Sequence, residues 1–72
     1  MELTELQKIL IGGLQLLDLP KDNIIMVMLM LKDSEQKQWN MLVWLADKMQ
    51  NGNMPNREQV MDKALEIMNS DK

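Results

Sequence analysis

Ile24-Ile25-Met26-Val27-Met28-Leu29-Met30-Leu31 is an unbroken apolar run, and how it is read decides the fold. A run of this length suits either a strand buried on both faces or a helix buried all round, and periodicity alone does not separate them. Three features select the helix. Met and Leu are strong helix formers, Pro20 and Asp22 suit a helix N-terminus, and no other segment offers a strand partner, without which a strand is unstable. The run therefore predicts a helix over about residues 20–32.

Working outward, the flanking segments carry their own start and stop signals. On the N-terminal side, Thr4 and Gln7 have the form of a capping box, and Leu6, Ile9, Leu10, Leu14 and Leu17 follow at helical spacing. This predicts a helix over about 4–18, ended by Leu19-Pro20, because the residue before Pro is pushed out of the α region. Gly12-Gly13 inside it should cost roughly 1 kcal/mol each against Ala, so a bend or a closely packed backbone is expected there. On the C-terminal side, Asp33 or Ser34 supplies a cap and Glu35 an acid in the first turn, predicting a helix over about 34–50 that stops at Asn51-Gly52. Leu42 and Leu45 are expected in its core. Asn56 with Gln59 forms a second capping box ahead of a helix over about 56–68, whose buried face is expected to be Val60, Met61, Ala64, Leu65 and Met68. Residues 69–72 are expected to fray. The expected architecture is all-α, a compact bundle of four short helices in one domain spanning residues 1–72.

Composition excludes several functions. With 46% hydrophobic and 26% charged residues the chain is too apolar for disorder and too charged for a membrane protein. It has neither Cys nor His, which removes thiolate nucleophiles, structural zinc sites of the usual kind and the commonest general base. No cofactor and no metal site is expected. The acidic start Glu2 to Glu5 is unlike a secretory signal, and the apolar run is too short to span a bilayer, so a cytoplasmic location is expected. The net charge of −3, from eleven acids and eight bases dispersed along the chain, offers no polybasic block for phosphates, so nucleic acid is a disfavoured partner.

Catalysis finds no support. The hydroxyls are those of Thr4, Ser34 and Ser70, two at predicted caps and one near the chain end, and there is neither a Gly-rich phosphate loop nor a pair of acids evidently set in an apolar pocket. No catalytic residue and no small-molecule substrate is expected. Glu58, Asp62 and Glu66 stand at i, i+4 and i+8 and would line one helix face. Such a line suits a hard cation or a basic partner, but also a plain solvated face beside Arg57 and Lys63.

Two features point to protein contact. Met26, Met28 and Met30 belong to a Met-rich helix whose flexible thioethers would suit varied helical partners, or would simply fill a small core. Trp39 and Trp44 lie about 140° apart around a helix, so if one enters the core the other stands at an edge or in a contact. These five are the candidate partner-binding residues. A helix apolar around its circumference needs neighbours on every side, and a symmetric homodimer formed by the second and third helices would supply them; a monomer that swallows the run is the alternative. The expected class is a non-enzymatic interaction or regulatory module of bacterial or phage type. The runner-up is a DNA-associated regulator, in which the hairpin at Lys32-Asp33-Ser34 acts as a helix-turn-helix and Gln36, Lys37, Gln38 and Asn40 read base edges.

Overall fold

A computed structural model describes residues 2–70. Four helices follow in chain order: α1 (Glu5–Leu16), α2 (Lys21–Leu31), α3 (Glu35–Gln50) and α4 (Arg57–Met68), with no strand among the described residues. The apolar run is helical, as expected.

The caps explain where each helix begins. Thr4 Oγ1 accepts from Gln7 N–H at 3.1 Å while Gln7 Oε1 accepts from Thr4 N–H at 2.9 Å, so two backbone donors that the helix cannot satisfy are paired. Asn56 and Gln59 repeat the arrangement at α4, and Ser34 accepts from Lys37 N–H at the start of α3. Pro20 precedes α2 rather than entering it, and its carbonyl receives the N–H groups of Asn23 and Ile24.

Two ends differ in how they close. After α3, Gly52 takes a φ of 74°, Gly52 N–H donates to Met49 O and Asn53 N–H to Lys48 O, which is the Schellman closure that a left-handed glycine permits. α1 ends before the expected boundary because Asp18 itself turns left-handed, with a φ of 59°, and breaks the helix ahead of Leu19-Pro20. Asp tolerates that region better than most residues. At the other end of the chain, Asn69 and Ser70 still donate to Leu65 O and Ile67 O; the rest of the tail expected to fray lies outside the described residues.

The core draws on one stripe of each helix. Leu6, Leu10 and Leu14 of α1 are buried, and Leu10 and Leu14 share one cluster with Ile24, Val27 and Leu31 of α2, which are spaced i, i+3 and i+7, so α2 turns a single face inward despite its uniform apolarity. Met41 and Leu45 enter from α3. Leu42, expected in the core with Leu45, lies half-buried at its margin, because Met41 occupies the inward position one residue earlier. In α4 the buried set is Val60, Ala64 and Ile67; Leu65, expected inside, is 48% exposed because the i, i+4, i+7 phase starting at Val60 points Ile67 inward in its place.

The closely packed backbone expected at Gly12-Gly13 is not found: α1 continues through both, and the nearest group to a Cβ built on Gly13 is the Leu45 side chain at 3.8 Å.

Packing is mainly between helices next but one in the chain: α4 lies chiefly on α2, and α1 chiefly on α3. The radius of gyration, 11.2 Å, equals the roughly 11 Å of a well-compacted chain of this length. Polar ties lock the arrangement. Gln38, 4% exposed, donates through Nε2 to Leu31 O at 2.8 Å, the shorter of two bonds to that carbonyl at the end of α2, the other coming from Ser34 N–H at 3.3 Å. Lys37 Nζ donates to Met68 O at 2.7 Å, placing a cation where the α4 dipole is negative.

Candidate functional site

α1 and α2 touch less extensively than the next-but-one pairs, and the space between them is an open groove of about 330 Å³. One wall is Leu3, Gln7, Ile11 and Gln15, a line at i, i+4, i+8 and i+12. The other is Lys21, Ile25, Leu29 and Lys32 of α2, and Ile24 with Met28 forms the floor. The spacing puts the α2 wall to one side of the buried stripe, while the floor uses Ile24 of that stripe, so the groove lies at the edge of the core. Leu3, Ile25 and Leu29 are each at least 44% exposed.

A second depression, about 720 Å³, lies between α3 and α4 against Trp44, Val43 and Ile67. Its rim mixes Asp47, Lys63 and Glu66, the last two ion-paired at 3.0 Å. Asp47 and Glu66 are open to solvent, and no pair of acids shares an apolar enclosure here. Among the described residues no group of three or more carboxylates is arranged to hold a metal ion, and none of their buried side-chain polar atoms lacks a hydrogen-bond partner.

The five candidate residues are dispersed. Met26 is exposed, at a position of α2 away from the groove. Met28 and Met30 are half-buried against the core, Met28 also reaching the groove floor. Trp44 packs on the core and walls the α3/α4 depression, whereas Trp39 is 46% exposed, as two residues so far apart around one helix must be divided. Trp39 continues through Val43 and Ala46, all exposed, into an apolar stripe along the outer face of α3.

Sequence reasoning missed Leu3, Ile25 and Leu29, and with them Lys21 and Lys32. The last four fall within one sector of a helical wheel, but Asp22 and Asp33 flank the same apolar run in a neighbouring sector, so the charges at its ends do not fix which face stays in water.

The hairpin side chains that might read DNA bases all have internal partners. Gln38 and Lys37 make the bonds given above, and Gln36 Nε2 donates to Asn40 Oδ1 at 3.0 Å. No described helix is long and apolar enough to cross a membrane. Comparison with known protein families, with characterised proteins and with solved structures finds no match.

Proposed function

We propose that this chain is a non-catalytic protein-interaction module that works through apolar helix surface and pairs with a second copy of itself. The observation that carries this is the surplus outside a completed core: among the described residues ten large apolar side chains, Leu16 and Val43 the most open at 71% and 62%, remain exposed although four inward stripes already fill the interior. Single exposed apolar residues are ordinary on any protein, but a stripe such as Trp39-Val43-Ala46 is the kind of contiguous surface that soluble monomers avoid. Trp is also the residue type most enriched among those that dominate binding energy. A two-fold pairing of the outer face of α3 would bury Trp39 against its counterpart and needs no rearrangement of the core. A DNA-reading hairpin draws less support, since Gln38 and Lys37 would have to leave the α2 and α4 carbonyls they satisfy.

Light scattering across a concentration series tests the proposal. The wild-type mass should rise from 8.4 kDa toward twice that value, and Trp39→Ala should shift the rise to higher concentration with an unchanged helical spectrum. A wild-type mass that stays at 8.4 kDa into the high micromolar range refutes self-association.

A further inference from the structure

We infer that the groove between α1 and α2 receives an amphipathic helix bearing acidic residues at both ends of its apolar stripe, supplied by a different protein. The inference rests on the module's being protein-binding, and not on its pairing with itself.

The groove's shape comes first. Two parallel-running lines of side chains, Leu3-Gln7-Ile11-Gln15 and Lys21-Ile25-Leu29-Lys32, bound a trough whose floor is apolar. Lys21 and Lys32 are separated by about 16 Å along α2, three turns of helix, which frames the roughly 10 Å spanned by the i, i+3, i+4, i+7 anchors that a helix lays into a groove and leaves about half a turn at each end for its flanking charges. A trough of 330 Å³ that is open along its length suits a row of aliphatic side chains better than an enclosed small molecule.

Charge selects the occupant. In a chain of net charge −3, the only ionised groups among the described residues that line this groove are the two lysines, one at each end of the α2 wall. Both are exposed, and neither is in an ion pair among the described residues, whereas Lys8 and Lys63 each pair with a glutamate on their own helix. The amides of Gln7 and Gln15 on the opposite wall add donors but no negative charge. The same charges exclude a second copy of this face. A two-fold axis along the ridge brings Lys21 to Lys21 of the other copy, and an axis across it brings Lys21 to Lys32, so every symmetric pairing sets like charges together. Carboxylates at the ends of an incoming helix meet the lysines instead and fix its register.

The test uses the full chain and two synthetic helical peptides, both with leucines at i, i+3, i+4 and i+7, one ending in glutamates and one in lysines. Fluorescence anisotropy should show saturable binding of the glutamate peptide, weakened by added salt, with the lysine peptide roughly tenfold or more weaker. Lys21→Glu combined with Lys32→Glu should reverse that preference. Ile25→Asn, at a position already 47% exposed, should weaken the glutamate peptide by roughly tenfold while the melting temperature stays near wild type. Failure of the glutamate peptide to bind an intact, folded chain overturns the inference, as does equal binding of both peptides or indifference to all three substitutions. If Ile25→Asn instead lowers the mass seen by light scattering, the groove is filled by a second copy and the heterotypic partner is refuted. A chain that stays monomeric yet binds the glutamate peptide as described refutes self-association alone and leaves the groove assignment standing.

Discussion

Replacing Gly12 and Gly13 by alanine should stabilise this protein, and the size of the gain follows from what surrounds each Cα. Both glycines sit inside α1 with ordinary negative φ, so neither needs glycine's conformational freedom, and each costs the helix roughly 0.8–1 kcal/mol relative to alanine. A methyl group on Gly12 meets nothing within 4 Å beyond the helix itself, and one on Gly13 meets Leu45 Cδ1 at 3.8 Å, an ordinary van der Waals contact that displaces nothing. No steric cost offsets the propensity gain at either site. Each substitution should therefore add about 1 kcal/mol and the pair about 2 kcal/mol, against a total stability of roughly 4–11 kcal/mol for a domain of this length. For so small a chain that corresponds to a rise in melting temperature of roughly 8–16 °C for the double variant. Thermal denaturation followed by far-UV circular dichroism measures it, at the lowest workable concentration so that association does not enter the midpoint. A fall in melting temperature for either single variant would refute the reasoning, because it would mean that something approaches α1 closely enough to need the missing Cβ. A gain at low concentration that disappears at high concentration would locate that approach in the self-associated form.

Two further predictions concern the core and its polar tie. Leu45→Ala should cost about 2–5 kcal/mol, whereas Leu42→Ala, at the half-buried margin, should cost about 1–2 kcal/mol; equal losses in parallel melts would contradict the burial order of α3. Gln38→Leu removes the shorter of the two bonds to Leu31 O and leaves the one from Ser34 N–H, so it should lower stability by about 0.5–1.5 kcal/mol, and Gln38→Glu should be worse, since a carboxylate would face the negative end of the α2 dipole. A Gln38→Leu variant as stable as wild type would show that the Ser34 N–H satisfies Leu31 O by itself.

Sequence and tertiary structure divided the decisions along a physical line. Helix starts are local events: Thr4 with Gln7, Ser34, and Asn56 with Gln59 each satisfy backbone donors within one turn, so their positions were legible in the residues themselves. The same holds for the stop at Asn51-Gly52, where the left-handed backbone is adopted most cheaply by a residue without a Cβ. The first helix ends earlier than its apolar spacing implied, because Asp18 adopts a conformation that spacing does not report. Facing is not local. Val60 and Ala64 could be assigned inward from the pattern, but Leu65 against Ile67 depended on where α2 lies beside α4, and Leu42 against Met41 on how α3 meets its neighbours. In the run Ile24 to Leu31 every position is apolar, so hydropathy carries no phase, and only packing decided that Ile24, Val27 and Leu31 turn in while Ile25 and Leu29 turn out to wall a groove. The amino-acid sequence thus determined that this chain forms four helices and nearly where each begins, since capping and propensity act within a few residues. Only the tertiary structure decided which face of α2 is surface, because that choice is made by side chains distant in sequence competing for the same interior.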